Sequence, residues 1–210
     1  MHDQLLGSTQ PVLSISLEPG ESVVAGTGEF AWMTDSIQMT GPNQTAAGQA
    51  GMSAYLAKAE AGTVAFASRR PGAILSVEVT PEREFMVHCR AFLAATPGIE
   101  LSTGFRQSLR TLGTAGGEFV LRRIGGAGRA WVELSGDVVR RDLPAGVSLR
   151  THPWHIGMSD ASVTVQITEL EEPVEAGGDA RQLAVLSGPG SVWLQSMPSR
   201  SIPPSHDLGL

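Results

Sequence analysis

Hydrophobic and polar positions alternate with a period of two along much of this chain. Leu13, Ile15 and Leu17 are separated by Ser14 and Ser16, and Leu75, Val77 and Val79 by Ser76 and Glu78. Val163, Val165 and Ile167 are separated by Thr164 and Gln166. Successive side chains of a strand point to opposite faces, so each run buries one face and wets the other. Between the runs stand turn signals: Glu18-Pro-Gly-Glu21, Arg70-Pro-Gly72, Thr96-Pro-Gly98, Gly125-Gly-Ala-Gly128, Leu143-Pro-Ala-Gly146 and Gly188-Pro-Gly190. Short strands with such punctuation predict an all-β protein, an antiparallel sandwich, barrel or prism. One helical spacing stands apart. Phe105, Ser108, Leu109 and Leu112 fall at i, i+3, i+4 and i+7 with Gly113 behind them, which predicts a short helix near 104–112.

A second regularity is longer. Gly62-Thr-Val-Ala-Phe66, Gly128-Arg-Ala-Trp-Val132 and Gly190-Ser-Val-Trp-Leu194 share one form, a glycine turn followed by a strand with a bulky residue. Each follows another strand: Ser53–Ala57, Glu118–Arg122 and Arg181–Leu186. Earlier segments also match, since Phe30-Ala-Trp-Met-Thr-Asp35 parallels Ala91–Thr96 and His155-Ile-Gly-Met-Ser-Asp160. The expectation is a pseudo-threefold repeat of antiparallel β units at about 13–68, 74–136 and 138–196, packed as one domain over 11–196. Residues 1–10 are expected to form a short N-terminal segment, and 197–210, with Pro198, Pro203 and Pro204, a mobile tail. Trp131 and Trp193 occupy equivalent repeat positions and Trp32 lies in a first-half strand. These three, with the turn residues Gly128 and Gly190, are the candidate structural and interface residues.

Composition narrows the function classes. The 210 residues are 41% hydrophobic and 17% charged, enough apolar content for a packed core. A formal net charge of -6 disfavours a nucleic-acid partner, because phosphate binding rests on basic patches. Lys58 is the sole lysine among 15 basic residues, and no glycine-rich phosphate loop precedes it. The pairs Arg69-Arg70, Arg122-Arg123 and Arg140-Arg141 read as solvated strand faces. Cys89 stands alone, so neither an internal disulfide nor a cysteine zinc site can form. The opening Met1-His-Asp-Gln-Leu-Leu-Gly7 has no basic stretch and no apolar stretch of a secretory leader, and no apolar run is long enough to span a bilayer. The chain therefore reads as cytoplasmic, with peripheral membrane association left open.

Each candidate for chemistry lacks a partner in the sequence. Gly26-Thr-Gly-Glu-Phe-Ala31 has the form G-x-G-x-x-A, but the following Trp32-Met-Thr-Asp35 has strand character where dinucleotide binding needs a helix. His152-Pro-Trp-His155 has H-x-x-H spacing; on a strand or turn the two rings diverge, so His152 and His155 are weak metal candidates, with His155 capping a turn and His152 exposed. His88 and Cys89 are adjacent and face opposite ways on a strand, and no G-x-S-x-G elbow exists. Glu171-Glu172 lie in a Pro-flanked loop. No catalytic residue and no cofactor is assigned.

The segments Glu18–Val24, Phe30–Asp35, Ala91–Leu101, Gly116–Leu121 with Gly126-Ala-Gly128, and Gly188–Gln195 together resemble the altered inheritance of mitochondria protein 24 family. The resemblance runs from about Leu13 to Ser196. It implies a core similar to the tryptophan RNA-binding attenuator protein or the double-stranded β-helix, self-assembly, and no established enzymatic activity. The stretch Gly41–Gly48 lacks the basic and aromatic residues expected of the family there, and no transit peptide is visible, so the mitochondrial role is not carried over. The resulting expectation is a non-enzymatic structural or assembly protein, a homo-oligomer with the trimer favoured on the resemblance. The alternatives are a small-ligand module with a pocket between repeats or subunits and, remotely, a metal-dependent hydrolase.

Overall fold

The computed structural model describes residues 1–26, 28–41, 52–109, 117–169 and 182–199. The chain is all-β. A strand β1 (His2–Leu6) comes first, followed by β2 (Val12–Leu17), β3 (Ser22–Gly26), β4 (Phe30–Met33), β5 (Ile37–Thr40), β6 (Met52–Ala57) and β7 (Gly62–Ala67). Next come β8 (Gly72–Val79), β9 (Phe85–His88), β10 (Phe92–Ala95), β11 (Ile99–Ser108), β12 (Glu118–Gly126) and β13 (Gly128–Ser135). The last group is β14 (Val138–Leu143), β15 (Ser148–Thr151), β16 (Ile156–Asp160), β17 (Thr164–Glu169), β18 (Gln182–Ser187) and β19 (Gly190–Gln195). A single 3-10 turn, Pro153–His155, joins β15 to β16.

These strands form four antiparallel sheets among the described residues, in the orders β1-β2-β7-β4, β5-β6-β3-β10-β13-β8, β11-β12-β9-β16-β19-β14 and β15-β18-β17. The two middle sheets are each assembled from two groups of strands, through the pairs β3–β10 and β9–β16. Three apolar cores lie between successive sheets. The first joins Leu13, Ile15 and Leu17 to Val23, Tyr55 and Trp131. The second joins Val24, Ala95 and Val132 to Phe85, Val87 and Ile124, and the third joins Phe119, Leu121 and Ile156 to Ala184 and Leu186.

This layering explains two kinds of hydrophobic pattern. An end sheet has one covered face, so β2 alternates buried Leu13, Ile15 and Leu17 with serines. A middle sheet is covered on both faces, so Val23-Val24-Ala25 and Phe92-Leu-Ala-Ala95 are buried without interruption.

The structure corrects one expectation and refines another. The helix foreseen near 104–112 is strand through Ser108, and residues 110–112 lie outside the described set. Phe105, Gln107 and Leu109 turn inward while Arg106 and Ser108 are exposed, a period of two that the helical spacing had obscured. A bulge between Thr103 and Phe105 shifts the register against β12, and Met86 packs where a side chain on Gly104 would sit. Residues 1–10, foreseen as a short N-terminal segment, supply β1, which pairs with β2 from His2↔Ser16 to Leu6↔Val12. Of the expected tail, Met197 and Ser199 donate backbone N–H bonds to Ser135 O and Trp154 O, and residues 200–210 lie outside the described set.

Candidate functional site

The glycine-started hairpins share a local device. The N–H of Thr63, the residue after Gly62, donates to Thr34 Oγ1 at 3.0 Å; that of Arg129 donates to Thr96 Oγ1 at 3.0 Å; that of Ser191 donates to Asp160 Oδ2 at 2.7 Å. The capping side chain ends the preceding strand and presses on the glycine. A Cβ at Gly128 would lie 2.2 Å from Thr96 Oγ1, and one at Gly190 would lie 2.8 Å from Ser162 Oγ. Both glycines also have positive φ, +148° and +144°, so no other residue fits without strain. Gly128 and Gly190 are therefore close-approach positions as well as turns. Their capping partners were missed in the sequence, although Thr or Asp three residues before Ile37, Ile99 and Val163 is a readable signal.

The tryptophans diverge in environment. Trp131 is 1% exposed in the first core, and its indole N–H donates to Asp3 Oδ2 at 3.0 Å. Trp193 is half-buried, edge-on to Phe85 at 6.2 Å, with the Arg140 guanidinium 5.4 Å above its ring. Trp32 is 48% exposed on β4, beside Phe30 at 37%. Met39 on β5 is also exposed.

His152 and His155 lie at the start and end of the turn between β15 and β16. Their rings stand edge to face with centroids 6.1 Å apart, and His155 Nδ1 is 2.7 Å from the Gln195 carbonyl oxygen. His152 is half-buried, not exposed, because the chain folds Pro153 and Trp154 into the third core beside it. Among the described residues, no group of three or more His, Cys, Asp or Glu side chains gathers in a geometry able to hold a metal ion. Cys89 is half-buried and burial pushes its thiol up. Gly26 ends β3 and Phe30 opens β4, so a strand follows the G-x-G-x-x-A stretch. Glu171 and Glu172 lie outside the described residues. No helix among the described residues is long and apolar enough to cross a membrane.

One polar cleft of ≈60 Å³ was not foreseen. Arg69, Arg70, Arg90, Glu133, Ser135 and Ser199 line it. The Arg69 guanidinium is paired with buried Glu29, and its backbone N–H donates to Glu133 Oε2 at 2.9 Å. Burial holds the Glu133 carboxyl above its ordinary range, against the pull of Arg69. Arg69 and Arg70 thus line a cleft built by four chain segments, whereas Arg122-Arg123 and Arg141 are exposed on their strands.

A family model described as "Mitochondrial biogenesis AIM24" matches residues 4–197. A crystal structure of a protein from Streptococcus pyogenes superposes with a TM-score of 0.74 over 94% of each chain at 17% identity, a likeness of fold. No curated protein matches the chain.

Proposed function

The chain belongs to the mitochondrial biogenesis AIM24 family, and from that premise we propose that it is a non-enzymatic assembly protein, self-associating through its β-sheet surfaces. The observation that carries this reading is the exposure of Phe30 and Trp32 on an edge strand, with Met39 close behind in sequence on another. An edge strand offers unpaired backbone donors and acceptors, and large apolar side chains on it favour association over solvation. The recurrence of the pairs β2–β7, β8–β13 and β14–β19, and of β3–β6, β9–β12 and β15–β18, supports reading the chain as three copies of one unit. Light scattering on the purified protein tests it. A mass that is a multiple of 22.0 kDa at micromolar concentration is expected, and a strict monomer counts against the reading.

A second reading is favoured by the arginine cleft: a small anionic ligand held between Arg70 and Arg90. A thermal-shift screen with phosphate and carboxylate compounds tests it, since a ligand above its Kd raises the Tm. No shift across the set removes this second reading and leaves the first untouched.

A further inference from the structure

The end sheets are unequal remnants of the middle ones. Each middle sheet runs through six strands, β5-β6-β3-β10-β13-β8 and β11-β12-β9-β16-β19-β14. Its midpoint is a junction where one group's second strand meets the next group's third: β3 on β10, β9 on β16. By the same counting, the sheet β17-β18-β15 ends at the strand corresponding to β3 and β9. The sheet β4-β7-β2, extended by β1, ends at the strand corresponding to β10 and β16. Among the described residues neither β15 nor β4 is paired on that side.

We infer that β15 of one copy pairs with β4 of a second copy, head to tail, completing a third junction of the kind the chain builds twice within itself. This rests on the self-association reading above and names its partner and its surface.

Exposure supports the assignment position by position. Trp32, Ala94 and Met158 occupy matching sites, each following a bulge and opposite Ala65, Trp131 and Trp193 respectively. Ala94 and Met158, inside completed junctions, are 0% exposed, while Trp32 is 48% exposed. The preceding inward site behaves likewise: Phe92 is 7% and Ile156 0% exposed, against 37% for Phe30. The internal register then fixes the external one. Ala94 faces Ala25 and Ala95 faces Val24; Met158 faces Val87 and Ser159 faces Met86. Counted from the turn bonds Ile37 N–H to Thr34 O, Ile99 N–H to Thr96 O and Val163 N–H to Asp160 O, the counterpart of Ala25 and Val87 is Thr151. Trp32 of one copy therefore faces Thr151 of the next, and Met33 faces Arg150. The two surfaces differ, so the contact is heterologous and propagates into a closed ring or an open filament.

Blocking each edge separately tests this. Trp32→Glu buries an unpaired carboxylate in the junction from the β4 side, and Thr151→Glu does so from the β15 side. Each variant alone is expected to scatter as a 22.0 kDa monomer with a cooperative melt, and an equimolar mixture as a dimer, since one clean junction survives between them. Variants that assemble like the wild type would overturn the junction while leaving self-association standing. Folded monomeric variants that fail to pair on mixing would overturn the head-to-tail arrangement. A monomeric wild type would remove both the junction and the reading beneath it.

Discussion

The middle sheets and the end sheets are made of the same strand pairs, yet they solve different problems. A middle sheet is packed on both faces and its two halves are joined, so the strands at its junction are buried on both sides and it has no free junction. An end sheet has one packed face and stops at the junction strand. Matched positions therefore differ in the surroundings they meet, as Trp32 differs from Ala94. On the assembly reading proposed above, the middle sheets are complete and the ends carry the strands left to associate.

The sharpest way to break this comparison uses two tryptophans. Trp131→Ala removes a fully buried indole from the first core and is expected to cost about 3–5 kcal/mol, read as a fall in the urea midpoint at constant slope. Trp32→Ala removes one that is half in water. In the dilute monomer it should change stability by no more than about 0.5 kcal/mol, while lowering the scattering mass. Equal losses from both would mean that the ends are as tightly integrated as the middle.

A pair of histidines at matching strand ends provides the next comparison. His88 ends β9 in a middle sheet and is 1% exposed; His152 follows β15 in an end sheet and is half-buried. Burial, helped by the charges of Arg90 and Arg70, lowers the His88 pKa from 6.5 to about 4. The folded protein then holds His88 neutral where the unfolded chain binds a proton, so its contribution is full above about pH 6.5. It declines as pH falls toward about 4 and is gone below that, about 3 kcal/mol in all. In His88→Leu the wild-type loss of stability across this window should shrink by that amount, measured by urea denaturation at a series of pH values. An unchanged slope would show that His88 is solvated and that this part of the middle sheet is open.

The hairpin glycines carry the third. Gly128→Ala meets both a positive φ and Thr96 Oγ1, and is expected to cost about 1–3 kcal/mol. Gly62 in the end sheet has no positive φ; a new Cβ there would crowd the Ser36 hydroxyl, which bonds Thr34 Oγ1 and the Ala61 carbonyl, but would add no backbone strain. Gly62→Ala should cost less than Gly128→Ala in the same melt, and the reverse order would contradict the account of the glycine locks.

The same division explains part of what could be read from sequence, although Leu75, Val77 and Val79 on β8, the outer strand of a middle sheet, alternate as well. End-sheet strands such as Leu13–Leu17 and Val165–Ile167 alternate because one face meets water, so period two was visible there. Phe92–Ala95 does not alternate because both faces are buried, and it was placed through its likeness to Phe30–Asp35 instead. The second half of the strand at 99–108 was read as part of a helix near 104–112 because Phe105, Ser108, Leu109 and Leu112 satisfy a spacing of 3.6 by coincidence, while the bulge at Gly104 broke the longer alternation. The arginine cleft had no local signal, since Arg69, Arg90 and Glu133 come together only through sheet stacking. Trp131, Trp193, Gly128 and Gly190 stood out through recurrence alone, which marks shared geometry and leaves the burial of each to its neighbours.

The smallest expected effect concerns the strand that distinguishes one end from the other. β1 adds to β2 and carries Asp3, whose carboxylate accepts the Trp131 indole N–H at 3.0 Å and the Arg129 guanidinium at 2.9 Å. Asp3→Ala leaves the indole N–H without that acceptor beside the first core, at an expected cost of about 1 kcal/mol. Asp3→Asn keeps an oxygen for the indole and should recover part of the loss, because the Arg129 pair is half in solvent and Glu78 still holds that guanidinium. Tryptophan emission separates the two contributions: a red shift in Asp3→Ala that is absent from Asp3→Asn places the effect at the indole. A loss as large as that of Trp131→Ala would instead make β1 an integral layer of the first core, and the two ends of the molecule would then differ in stability as well as in the edge they present.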